Sequence, residues 1–96
     1  MLHLVSLSPI ETAIFARLQA GDDIVFLENA VLRLLKTGET NHALSELLKT
    51  HQLYAMTDAL AVRGISAKEL VQGITIIDYP ELVALTIKHP VIQSWV

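Results

Sequence analysis

No cysteine occurs anywhere in the 96 residues. That absence excludes disulfides, thiolate metal sites, thiol nucleophiles and the carriage of persulfide sulfur on this chain, and it suits a reducing compartment. Charge is scarce as well: 18% of the residues are charged, against roughly 25% in an average soluble domain. The seven basic residues (Arg17, Arg33, Lys36, Lys49, Arg63, Lys68 and Lys88) are never adjacent, and ten acidic residues bring the formal charge to −3. Affinity for a phosphate backbone comes from counterions released together by clustered cations. Direct binding of nucleic acid is therefore not expected. No apolar run approaches the roughly 18 residues that cross a bilayer. Residues 1–6 lack the cationic start and long apolar core of a signal peptide. The expectation is a soluble cytoplasmic protein, away from membranes, with residues 1–96 as one domain.

What is abundant is apolar: 52% of the sequence. A chain this short buries only roughly 60–70% of the surface its unfolded form exposes. Surplus apolar area is therefore expected to lie against another chain or another copy.

Short apolar runs alternate with longer patterned segments. Segment 2–7 reads as a strand. Ser8, Pro9 and Glu11 then supply an N-cap, a first-turn proline and a capping box for a helix to about Ala20, closed by Gly21. Residues 23–28 hold Ile24-Val25-Phe26-Leu27, the unbroken apolar pattern of a strand covered on both faces. A short helix over 29–36 and a second over 42–50 follow, the latter with Ala43, Leu44, Leu47 and Leu48 on one face. Residues 52–56 form the third strand, and Thr57-Asp58 opens a helix stopped by Gly64. Ser66 and Glu69 make a capping box for a turn that Gly73 ends. The β-branched run Ile74-Thr75-Ile76-Ile77 is the fourth strand. Asp78 and Glu81 cap a helix to about His89, which Pro90 stops, and residues 91–96 read as a last short strand or tail. Strands joined by helical crossovers pair in parallel and wind right-handed. The fold class is α/β: a three-layer α/β/α sandwich with a mostly parallel sheet of four to five strands.

Ligands of such sheets bind at the carboxyl ends of the strands. There Ser8 could serve as a nucleophile and Asp78 or Glu28 as a base, but Ser8 and Asp78 stand where helix caps are required. Glu28 has no such role, so it is either a site residue or a solvated strand end. The four glycines are isolated, which excludes a dinucleotide fingerprint and a P-loop. His3, His42, His51 and His89 have no i, i+4 pairing and no carboxylate at ligand spacing, so neither a metal nor a cofactor is expected. His89 fits the negative end of a helix dipole, and Trp95 fits an interface anchor. No catalytic constellation emerges. Glu28, Asp78, Tyr79, His89 and Trp95 are the candidate partner-interface residues. The reading that competes with a partner-binding subunit is a small-ligand-binding or hydrolytic α/β domain using Glu28, Asp78 and His89.

Several stretches carry a family resemblance: Leu2-His3 followed by Ser8-Pro9; Phe26-Leu27-Glu28-Asn29-Ala30-Val31; and Leu53-Tyr54-Ala55 with Asp58 and Ala61-Val62-Arg63-Gly64. The strongest part is the end, with Ile77-Asp78-Tyr79, Leu82-Val83, Leu85-Thr86, Lys88-His89-Pro90 and Gln93-Ser94-Trp95. The sequence resembles the TusB/DsrH group of sulfur-relay subunits over nearly its whole length. The resemblance implies a DsrEFH-like, five-stranded, mostly parallel sheet. It also implies a subunit held with TusC-like and TusD-like chains in a dimer of heterotrimers, and a homo-oligomer is a further option for the isolated chain. Such a complex passes persulfide sulfur toward 2-thiouridine at the tRNA wobble position, with the active cysteine on the D-type subunit. Some DsrH-type relatives have a cysteine near Ala13 and Ile14, and many have Asp-Gly at Asn29-Ala30; this sequence departs from both. The function so implied is structural and non-catalytic.

Overall fold

The computed structural model describes residues 1–6, 18–36 and 41–95. Five strands, β1 (Leu2–Val5), β2 (Asp23–Phe26), β3 (Gln52–Met56), β4 (Thr75–Ile77) and β5 (Ile92–Trp95), form one sheet in the order β4-β3-β2-β1-β5. Every pairing is parallel. The apolar run of the second strand lies at the centre, where all four residues of β2 are buried. Residues 91–96 resolve into β5, which pairs with β1 from Leu2↔Ile92 to Val5↔Trp95.

The helices are α1 (Asn41–Leu47), α2 (Thr57–Val62) and α3 (Tyr79–Lys88), with 3-10 segments at Glu28–Leu34 and Ala67–Glu69. From β1 to β4 the chain steps one strand at a time in one direction, so right-handed crossovers put those connections on one face. The return from β4 to β5 runs the other way, which puts α3 on the opposite face. Side-chain alternation agrees: α3 packs over Tyr54 and Ile77 and reaches Asp23 through Lys88, three residues of one parity in the register. The core joins both faces, with Leu2, Ile24, Val25, Leu34 and Leu53 fully buried. No helix among the described residues is long and apolar enough to cross a membrane.

Several expected boundaries shift for local reasons. The segment after β2 is 3-10 rather than α. Its N-cap, Leu27, has no side chain to cap the turn, and Ala30 N–H bonds the Leu27 carbonyl three residues back. Ser66 and Glu69 do close a capping box, but around a 3-10 turn of three residues. Beyond it Leu70 forms an antiparallel bridge to Leu35. On α1, Leu44 is buried while Ala43 faces solvent. The Ser8-Pro9-Glu11 helix start lies outside the described residues, and residues 18–20, expected to be helical, form a loop and turn.

Gly73 adopts φ +108°, and a Cβ there would sit 3.2 Å from Leu48 Cδ1. Gly73→Ala therefore meets strain and contact together. Urea unfolding is expected to show a loss of about 1–2 kcal/mol.

Candidate functional site

Among the described residues, the buried polar side chains meet at the amino end of the sheet, where β1 and β2 begin side by side. Asp22 and Asp23 precede and open β2, and alternation sends their side chains to opposite faces. Each meets a histidine. Asp22 Oδ2 lies 2.9 Å from His3 Nε2, and Asp23 Oδ2 lies 2.7 Å from His89 Nε2. All four residues are buried.

On the first face Asp22 accepts three hydrogen bonds: from the Met1 α-ammonium at 2.9 Å, from His3 Nε2–H, and from the Gln19 backbone N–H at 3.1 Å. Burial pushes its carboxyl up, but the ammonium, the imidazole and the Gln19 N–H outweigh that and hold it at about 2, below the ordinary 3.8. Trp95 Nε1 lies 3.1 Å from His3 Nδ1. An indole N–H can only donate, so Nδ1 accepts and the ring proton sits on Nε2, facing Asp22. The two rings, 6.2 Å between centroids and 26° from parallel, meet edge to edge. Ser6 adds its backbone N–H and hydroxyl to the Trp95 carbonyl. Together these bonds lock β5 against β1.

On the second face Asp23 also accepts from Lys88 Nζ at 3.2 Å, which fixes the last turn of α3 over β2. Tyr54 lies nearby, its phenol pKa raised by burial first and then by the Asp23 charge, with Lys88 opposing. A cleft of about 300 Å³ opens beside these groups, lined by Asp22, Asp23, Lys49, His51 and Lys88 among others. Its lysines already face acids: Lys49 bonds Glu46 and Lys88 bonds Asp23. Among the described residues no three His, Asp or Glu side chains gather as metal ligands.

The residues singled out from the sequence divide between the two ends of the sheet. Glu28, Asp78 and Tyr79 lie at the carboxyl end and are exposed. Asp78 caps α3, accepting from Glu81 N–H at 3.0 Å, while Glu81 accepts from Asp78 N–H. His89 is buried at the amino end, and Trp95 is half-buried at the close of β5. Glu28, Asp78 and His89 are thus not brought together. Glu28 opens the 3-10 segment rather than ending β2, and it is the one non-glycine residue with positive φ among those described, at +51°. A side chain there costs about 1 kcal/mol or more. Glu28→Gly is expected to raise stability by about 0.5–1 kcal/mol, or a melting temperature by roughly 2–8 °C, in a thermal melt.

The two Asp–His pairs are what sequence spacing hid, since the partners stand 19 and 66 residues apart. The available signal was an acidic pair heading an apolar central strand, beside a histidine inside the preceding one.

A protein-family model described as DsrH like protein matches residues 7–92. The chain is 34% identical to Protein TusB of Buchnera aphidicola subsp. Baizongia pistaciae over 99 residues, spanning 99% of this chain and all of that protein. It is 31% identical to Protein TusB of Escherichia coli K12 with the same coverage. Among solved structures, the ychN protein of E. coli superposes with a TM-score of 0.80 at 18% identity, covering 98% of this chain and 97% of that one. A Methanobacterium thermoautotrophicum protein of unknown function, MTH1491, gives 0.79 at 15% identity, covering 98% and 96%. At those identities the structures speak for the shared fold alone.

Proposed function

The chain belongs to the DsrH-like family, and from that premise we propose that it is a structural subunit of a sulfur-relay complex that passes persulfide sulfur toward 2-thiolation of the tRNA wobble uridine. The observation that carries its non-catalytic part is the absence of any cysteine in the sequence. Persulfide transfer needs a thiolate to accept and release sulfane sulfur, and no other side chain here does that work. The sulfur-bearing thiol then belongs to a neighbouring TusD-like chain, with a TusC-like chain completing the trimer. The exposed Tyr79, Glu28 and Asp78 serve as contact residues on this subunit. His89 and Trp95 support the contact surface from within, by holding α3 and β5 in place.

Sulfane-sulfur labelling of the reconstituted relay tests this reading. The expected result is label on the D-type chain and none on this one, with tRNA thiolation falling to background when this chain is omitted. Label bound to this chain, or thiolation that proceeds unchanged without it, overturns the proposal.

A further inference from the structure

We propose that His3 and Trp95 form a pH-sensitive latch, in which a proton taken up at His3 Nδ1 below neutral pH releases the Trp95 indole from the sheet. Trp95 Nε1–H donates to His3 Nδ1 at 3.1 Å, and an indole has no acceptor to offer in return. The contact therefore exists only while Nδ1 is bare and the imidazole neutral. A second ring proton would set N–H against N–H in a place where His3 is 1% exposed. One of the two groups must then leave. His3 is fixed on β1, between β2 and β5, with Asp22 on its far nitrogen. Trp95 is half-buried on β5, the edge strand of the sheet. The indole is the group free to move.

The surroundings fix the direction. Among the described residues, the charged groups bonded into this network are Asp22 and, on the same carboxylate, the Met1 α-ammonium. His51 stands one bond further out, on the Gln19 carbonyl at 3.0 Å. Lys49 shares the cleft beside Asp22 but bonds Glu46, and Asp23, Lys88 and His89 meet on the opposite face. Asp22 attracts a charged imidazole, while burial, the Met1 ammonium and the indole N–H oppose one. The Asp22 carboxyl is held at about 2. It therefore stays ionised down to about pH 4, and the proton goes to the ring.

At neutral pH, release would leave the buried Nδ1 without a donor, which keeps the latch closed. Once Nδ1 carries a proton, water entering the vacated space accepts from it. With the ordinary imidazole value of about 6.5 for the released state, each pH unit below that favours release about tenfold. From about pH 7.5 to about pH 4.5 the ratio of released to closed chains rises on the order of 100-fold. The β5 backbone stays in place, because Leu2 N–H and Ser6 N–H hold the Val91 and Trp95 carbonyls and neither bond involves a titrating group. The proposal concerns the chain by itself and does not depend on the relay reading.

Trp95 is the sole tryptophan, so fluorescence of the purified chain reads the latch directly. As pH falls, emission should move to longer wavelength and acrylamide quenching should rise, in a one-proton step about two pH units wide. Far-ultraviolet circular dichroism should not change. Nitrogen-15 resonances of labelled histidine should show His3 Nδ1 gaining its proton at the same midpoint. His3→Asn keeps an acceptor where Nδ1 stood and cannot take up the proton, so its indole should stay buried throughout. If that variant does not fold, the coincidence of the two midpoints in the parent chain decides. His51→Gln should leave the step intact. An indole that stays buried to about pH 4.5 overturns the proposal. So does a step that persists in His3→Asn or vanishes in His51→Gln, a His3 midpoint apart from that of the indole, or exposure that coincides with loss of the circular dichroism signal.

Discussion

Asp22→Asn is expected to lower stability by about 2–3 kcal/mol at neutral pH and to depress the melting temperature by roughly 10–20 °C. Three donors converge on this carboxylate. An asparagine offers one oxygen for them and turns an N–H₂ group toward an ammonium or an imidazole N–H. The loss is dominated by His3, whose side chain is 1% exposed, rather than by the α-ammonium of Met1, an exposed residue whose bond to Asp22 is only partly buried. The sign of the pH dependence is fixed by the depressed carboxyl pKa. With 3.8 as the unfolded reference and about 2 in the folded chain, the contribution is whole above about pH 4 and drains away as pH falls toward 2. A shift of that size corresponds to about 2 kcal/mol. Chemical denaturation at several pH values should therefore show a steep acid limb in the parent chain and a flatter one in the variant. Equal acid limbs would contradict the role given to Asp22.

Asp23→Ala is expected to cost more, about 3–5 kcal/mol, because it leaves the buried His89 ring and the Lys88 ammonium without their acceptor. The effect is directional as well as large. Asp23 ties the C-terminal turn of α3 to the central strand, so hydrogen exchange should quicken in α3 before it does in β2 or β3. Tyr54 supplies a second readout. The Asp23 charge adds to burial in raising the Tyr54 phenol pKa, and Lys88 opposes it. Removing Asp23 should let Tyr54 ionise at lower pH. The change can be followed by ultraviolet difference titration in a Tyr79→Phe background, where Tyr54 is the one remaining tyrosine. An unchanged titration would place the acid's influence elsewhere.

The parallel architecture was legible because the first four strands carry local signatures, while residues 91–96 read equally as a strand or a tail. Ile24-Val25-Phe26-Leu27 is continuous and apolar where β2 is covered on both faces. The Asp78 and Glu81 capping box sits where α3 begins. Glycines marked turns at Gly64 and Gly73, both with positive φ. What the sequence concealed was non-local. Whether residues 29–36 coil as α or 3-10 depends on Leu27 having no capping atom and on a bridge from Leu35 to Leu70, far along the chain. The Asp22–His3 and Asp23–His89 pairs depend on β1 and β2 starting side by side, and on α3 returning across the sheet. His89 was legible as a helix end, and it is indeed the C-cap of α3, but its acceptor lies on a strand formed much earlier. The candidate contact residues were chosen one by one. Their division between the two ends of the sheet comes from strand direction, which no local pattern encodes.

Native mass spectrometry of the assembly formed on co-expression with TusC-like and TusD-like chains tests the central claim most directly. The account predicts that this chain is present in equal number with each partner, at the unmodified mass of its sequence, with added sulfur on the D-type chain. An assembly that forms without this chain, or one in which this chain carries the extra sulfur, would contradict it.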